Sequence, residues 1–290
     1  MKINADFHKR MSPKPKYQED TKFKNLALFF LAATGLLFSG FVISSEQDWN
    51  AASLLTAINI VGVFLVYRLN DSIDQNEGLK FNLTSFFSNR LHQFVGALFF
   101  FVLIPLSFLW LTKFTLMILA IGAVIGTAYS LSLNMNGKQL RLKNVFIVKN
   151  LLIGLVWGSL VLIGAGDGLN ENVIVLFAFV SFQVVIGSVV RDLPDVKKDA
   201  ELGVKSLPVV VGEKNSIHIM MLINALSIMP FFLEPRFAHI SVYLFVVFAY
   251  RTINLMFLLK GKNVKFWSQT FNLMCCVLIF LVMLVFSLYG

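Results

Sequence analysis

The chain has 290 residues, of which 57% are hydrophobic and only 14% charged, and its mean hydropathy is +0.75. Soluble domains carry about 25% charged residues, so this composition excludes an ordinary soluble enzyme and predicts a polytopic protein of the lipid bilayer. The net charge of +9 does not signal a nucleic-acid partner, because the basic residues flank apolar runs on one side, as membrane topology requires.

Residues 1–24 form a polar, basic N-terminal segment. The first apolar run, FKNLALFFLAATGLLFSGFVI, is too long for the core of a signal peptide and is followed by no small-residue cleavage site. It is expected to be a retained first span. Apolar runs at 25–45, 52–69, 94–111, 114–132, 145–164, 172–190, 216–233, 238–258 and 267–289 predict nine spans. Each approaches the ~20 residues that cross the hydrocarbon. They are uniformly apolar, whereas barrel strands run only ~9–11 residues and alternate. The expected fold is therefore all-α, a bundle of nine transmembrane helices with residues 25–290 as one domain.

The connections alternate in character. Those before span 1 and after spans 2, 4, 6 and 8 hold nearly all the Lys and Arg, as in NGKQLRLKN and LKGKNVKF. The others, such as GAGDGLNEN, are short and neutral or acidic. The positive-inside rule then puts the N-terminus in the cytoplasm and the C-terminus outside. Two cytoplasmic connections, 70–93 and 191–215, are longer than a turn needs. Both mix charge with Phe, Leu and Val, so they are expected to be ordered caps over the bundle.

Span 2 ends in YRLNDSIDQNEG, with Asn70, Asp71 and Asp74 giving an acidic pair spaced DxxD. Span 6 ends in RDLPDVKKDAELGVKSLP, where Asp192, Asp195 and Asp199 are spaced DxxDxxxD. At ~100° per residue these three fall within about 60° of one another on a continuous helix, so their carboxylates are expected to face one cavity. Asp192 is also a candidate cap for the turn that follows, since Pro194 suits a first helical turn.

Five carboxylates at one membrane face repel each other unless divalent cations sit between them. Mg²⁺ takes carboxylate and phosphate oxygens and keeps several waters. A diphosphate bridged by Mg²⁺ between two acidic walls fits this charge and spacing, the metal neutralising the leaving group as a C–O bond breaks. Lys and Arg nearby would hold the remaining phosphate oxygens. For either cluster alone, a solvated acidic turn is the competing reading.

Span 2 ending in NDxxD, and span 6 ending in DLPDVKKDAELGVKSLPVVVG, resemble the UbiA superfamily of intramembrane prenyltransferases. The second match carries Asp192, Asp195, Asp199, Gly203, Lys205, Ser206, Leu207, Pro208 and Gly212 of the pattern. The resemblance implies Mg²⁺-dependent transfer of a prenyl group from a polyprenyl diphosphate to a lipophilic, often aromatic, acceptor. It implies metal binding by Asn70, Asp71, Asp74, Asp192, Asp195 and Asp199, with Asp71, Asp74, Asp192 and Asp195 catalytic. The first motif departs from the family pattern. Gly78 stands where the family has a third Asp, Glu77 is one residue early, and the Arg-rich run that should follow is missing.

Beside these motifs, Lys143, Lys149 and Lys205 are candidate diphosphate contacts. Arg141 and Lys143 also serve as topology signals, and Lys149 has the alternative of snorkelling to the interface. Tyr67, one turn inward of Asp71, and Tyr129, at the end of span 4, are candidates to stabilise a carbocation by their rings or to orient the acceptor. Asn70, Tyr67, Asn150 and Ser188 are expected to line the substrate pocket. Arg191 is expected to anchor its helix end. His218 and His239 are read as packing or interfacial residues, and the adjacent Cys275 and Cys276 as apolar filler. Two rival functions remain at this level: a non-catalytic membrane partner, motivated by Gly78, and a secondary transporter. The latter binds near the bilayer midplane at broken helices, whereas these acids lie at helix ends.

Overall fold

A computed structural model of the chain describes residues 17–44, 48–75, 90–130, 132–135, 138–141, 145–201, 204–233, 238–261 and 263–289. Helix α1 is Tyr17–Ile43, α2 Trp49–Gln75, α3 Arg90–Trp110, α4 Lys113–Ser130, α5 Val148–Ala165 and α6 Glu171–Asp192. A 3₁₀ turn at Leu193–Asp195 leads into the short helices α7, Val196–Glu201, and α8, Leu207–Val211. Then come α9, Glu213–Leu233, α10, Ala238–Leu259, and α11, which opens as a π turn at Phe266–Phe271 and continues through Asn272–Tyr289.

Among the described residues, four stretches are long and apolar enough to cross a bilayer: Trp49–Val66, Arg90–Trp110, Val148–Ala165 and Glu171–Glu201. Shorter apolar helices cover Phe29–Ile43, Lys113–Gly126, Leu244–Leu259 and Phe266–Ile279. The chain is a helical membrane protein. One departure from all-α is a small antiparallel hairpin, β1 Ser132–Met135 with β2 Lys138–Arg141, in the connection before α5. Its sequence signal is the Asn136-Gly137 dipeptide between the two strands, the pair most favoured in two-residue hairpins.

Local chemistry explains the helix ends. Asn170 caps α6 by accepting from the Val173 amide at 3.0 Å, while its own amide donates to the Ile43 carbonyl at 2.9 Å. One side chain thus starts α6 and ties it to the end of α1. The π turn within α3, at Phe99–Leu103, lies directly before Ile104 and Pro105, where proline removes a backbone donor and loosens the turn ahead of it.

Helix α5 packs against α1 and α6 almost backbone to backbone. A Cβ added at Gly40 would lie 1.8 Å from the Val161 carbonyl oxygen, and one at Gly164 only 1.9 Å from that of Leu37. Against α6, a Cβ at Gly154 would meet Val185 Cγ2 at 2.4 Å, and one at Gly158 would meet Ser181 Oγ at 2.0 Å. Such small-residue contacts are how helices associate in lipid, where apolar burial offers no drive. Leu36, Val161, Phe179, Phe231, Leu244 and Ile279 form the adjoining core, with Phe179 and Phe231 edge to face at 5.7 Å.

The described part of the 191–215 connection is ordered and packed. Leu193 and Leu207 are buried with Ile186, Val190, Ile217 and Leu255, so this segment caps α6, α9 and α10. In the 70–93 connection, residues 76–89 lie outside those described.

Gly164→Ala is expected to destabilise the protein by about 2 kcal/mol or more, because the obstructing atom is backbone and cannot turn aside. Gly62→Ala, where nothing lies within 4 Å, should be neutral or stabilising by up to ~1 kcal/mol. Thermal unfolding in detergent, with the two variants side by side, measures the contrast.

Candidate active site

Helix α5 begins under strain. Ile147, a β-branched residue, has φ +62° and ψ −36°, in a region such residues rarely adopt. The Val148 amide closes a tight turn onto the Phe146 carbonyl at 2.7 Å. This turn sets the next two side chains, Lys149 and Asn150, at the first turn of α5, and the glycine contacts bring that turn against the last turn of α6.

There the Lys149 ammonium pairs with Asp192 Oδ1 at 2.7 Å. Asn150 Nδ2 donates to Ser188 Oγ at 2.9 Å and to Asp192 Oδ2 at 3.3 Å. Asn150, Ser188 and Asp192 are all buried. Both oxygens of Asp192 are therefore held from α5, and its side chain makes no cap bond to the turn that follows. Lys149 pairs inward instead of snorkelling. The arrangement has a reason in electrostatics, since a carboxylate at a helix C-terminus meets the negative end of the macrodipole. A cation beside it offsets both.

Asp195 and Asp199 stand differently. Pro194 turns the chain through the 3₁₀ step at Leu193–Asp195, so the motif is not one continuous α-helix. Asp195 is exposed and Asp199 half-buried. Asp199 stays within electrostatic reach of Lys149, Asp192 and Asp195. Among the described residues, no three carboxylate, imidazole or thiol side chains stand close enough together to hold a metal ion. The expected convergence of all three carboxylates is thus not seen, because the 3₁₀ turn redirects Asp195 and the α5 donors draw Asp192 to themselves. The Ser206 hydroxyl is buried beside Asp199, close enough to stabilise its carboxylate. Lys205 beside it is exposed, as is Arg191.

The other predicted residues are placed by backbone alone or not at all. Tyr67, Asn70, Asp71 and Asp74 lie in the last turns of α2, and their side-chain positions are outside what the structure describes. Lys143, Glu77 and Gly78 lie outside the described residues. Tyr129 is half-buried at the end of α4, and Arg141 ends β2 opposite Ser132. His218 is exposed and Cys275 buried.

The donor set fits Mg²⁺ in kind. It offers hard oxygens from Asp192, Asp195 and Asp199 and the Ser206 hydroxyl beside them, with no thiolate or imidazole among the described residues there.

Sequence reasoning missed a second polar cluster. Arg251 of α10 is 2% exposed and is bonded to Gln183 of α6, Asn254 of α10 and Asn272 of α11. An arginine inside an apolar run is itself the signal that could have found it.

The Lys149–Asp192 pair sets up a double-mutant cycle. Lys149→Met and Asp192→Asn should each destabilise the chain by leaving the other group uncompensated. The double variant should recover about 0.5–3 kcal/mol of the sum. Denaturant unfolding of the four proteins in one detergent reads this, and strict additivity would show that the pair contributes nothing.

The model of the UbiA prenyltransferase family matches residues 27–275. A digeranylgeranylglyceryl phosphate synthase from Methanopyrus kandleri is 32% identical over 80 residues, which is 27% of this chain and 30% of that protein. The matched stretch thus spans under a third of that relative's length. Among solved structures, a UbiA homologue from Aeropyrum pernix K1 superposes with a TM-score of 0.65 at 17% identity, covering 91% of this chain and 98% of that one. A UbiA homologue from Archaeoglobus fulgidus bound to DMAPP and Mg²⁺ gives a TM-score of 0.60 at 13% identity, covering 90% and 97%. With the family model matching most of its length and its fold shared with these homologues, the chain belongs to the UbiA prenyltransferase family.

Proposed function

We propose that the chain is a membrane prenyltransferase that moves a prenyl group from a polyprenyl diphosphate to a lipophilic, often aromatic, acceptor within the bilayer. The observation that carries this is the buried Asp192, held by Lys149 and Asn150 at the end of α6, within the one acidic motif that matches the family pattern in full. A homologue of the same fold binds DMAPP with Mg²⁺, which supports a diphosphate substrate here.

In this reading Asp192, Asp195 and Asp199 form one wall and Asn70, Asp71 and Asp74 the other, together holding Mg²⁺. When bound, Mg²⁺ supplies charge neutralisation to the departing diphosphate. The protein's residues do the rest. Lys149, Lys143 and Lys205 bind phosphate oxygens as cationic donors. Asn150 and Ser188 keep the Asp192 carboxylate oriented, and with Tyr67 they line the substrate pocket. Tyr129 and Tyr67 offer ring faces to an allylic cation. The surrounding apolar bundle, residues 25–290, keeps water from quenching that cation. Nine spans, a cytoplasmic N-terminus and site, and an outside C-terminus complete the proposal.

The test is Mg²⁺-dependent diphosphate release from farnesyl or geranylgeranyl diphosphate in membranes. Asp192→Asn and Asp71→Asn should each lower the rate about a hundredfold or more. If wild type and both variants behave alike with every acceptor tried, the enzyme reading fails and the non-catalytic reading motivated by Gly78 takes its place. Topology is checked separately with reporters fused to each terminus: a fluorescent protein should light up at the N-terminus, and a phosphatase active only outside the cytoplasm should work at the C-terminus.

A further inference from the structure

Arg251 is a full positive charge inside the helix bundle, and among the described residues no carboxylate is paired with it. It is satisfied by neutral oxygens. Nε donates to Gln183 Oε1 at 3.4 Å, Nη2 to the Gln183 carbonyl at 3.2 Å, and Nη1 to Asn254 Oδ1 at 3.4 Å and to Asn272 Oδ1. Each of those acceptors is held in turn. Gln183 donates to Asn224 at 2.8 Å and to Ser227 at 3.1 Å, and Asn254 donates to the Trp267 carbonyl at 2.7 Å. Asn272 donates to the Gly187 carbonyl at 2.8 Å.

Two of these bonds reach the backbone of α6, at Gln183 and at Gly187, one turn apart. A helical carbonyl has a second lone pair free for such a partner. Gly187 makes room for it, since a Cβ there would lie 3.0 Å from Asn272 Oδ1 and 3.2 Å from Arg251 Nη2. Gly187 precedes Ser188 directly and lies five residues, about 7.5 Å of helix rise, before Asp192. We propose that Arg251 is a positioning residue: with Asn272 it grips the α6 backbone at Gln183 and Gly187, about two and a half and one and a half turns before Asp192, and fixes the height and rotation of that carboxylate against α5. The fork of the guanidinium is what spans two helices at once, which a lysine's point charge cannot do. The positioning rests on the site reading above only where catalysis is measured.

Hydrogen exchange of the full chain in lipid nanodiscs, followed by mass spectrometry, tests the grip without any substrate. In Arg251→Lys, peptides covering residues 183–195 should exchange about tenfold faster while those of α1 and α5 keep wild-type rates. Asn272→Leu removes the Gly187 contact but leaves Arg251 three acceptors, and it should give the same local pattern if Arg251→Lys does not fold. Unchanged exchange, or a rise spread evenly over all spans, overturns the positioning role. With Mg²⁺ present, the same variants should need about tenfold more farnesyl diphosphate for half-maximal diphosphate release, with the maximal rate within about twofold of wild type. A loss of rate with no change in half-saturation also overturns it. A wild-type chain that releases no diphosphate sinks the prenyl-transfer reading, and the exchange pattern alone then decides the clamp.

Discussion

The near-contact of α5 with the backbones of α1 and α6 governs where everything else can stand. In lipid, two apolar helices gain nothing by hiding from their surroundings, so they hold together through close packing and polar contacts. Gly40 and Gly164 remove the side chains that would hold α1 away, and Gly154 and Gly158 do the same for α6. The consequence is chemical. An asparagine is a short side chain, yet Asn150 reaches both Ser188 and Asp192 across the interface. With an ordinary side-chain layer between the helices, it would reach neither. The glycine seam is thus the mechanical basis of the polar site at its end.

Burying charge in such a bundle carries a cost, and the structure meets it in two ways. Asp192 is met by an opposite charge and by neutral donors, so that no oxygen of the carboxylate is left bare. Arg251 is met chiefly by amide and carbonyl oxygens, with the buried Cys275 beside it, in a setting where a central arginine costs about 3 kcal/mol or more. A well-packed apolar residue would often be no less stable. What the arginine adds is direction: its donors lie in one rigid plane and fix α6 and α11 against its own helix, α10.

Much of this was legible from residue pattern. Apolar runs located the helices because length and hydropathy are properties of each segment alone. The 191–215 cap was legible from the length and mixed composition of that connection, and helical spacing put Ser188 and Asp192 on one face, but not Lys149 and Asn150 of α5 against them. What spacing could not supply was the effect of Pro194, whose 3₁₀ turn takes Asp195 off the line of Asp192. Nor could it supply pairings between residues 68 apart, as for Arg251 and Gln183. Those depend on which faces of α6, α9, α10 and α11 come together, a question that uniformly apolar spans leave open. The hairpin at 132–141 escaped because attention to hydropathy passes over a short polar connection, although Asn136-Gly137 marks it plainly.

The charges near the end of α6 bear on the proposed use of divalent cations. Lys149 offsets Asp192, leaving Asp195 and Asp199 near the negative end of the helix dipole. Arg251 is fixed behind α6, enclosed by its own acceptors, and cannot swing out to meet a phosphate. Lys205 is exposed, where water screens it. Arg191, Lys197 and Lys198 are exposed on the same segment, so what sets this wall apart is its supply of carboxylate oxygen and not a net negative charge. In the proposed reading, hard dications join these carboxylates to a diphosphate because they accept both kinds of oxygen, which favours a metal–diphosphate complex over the free anion.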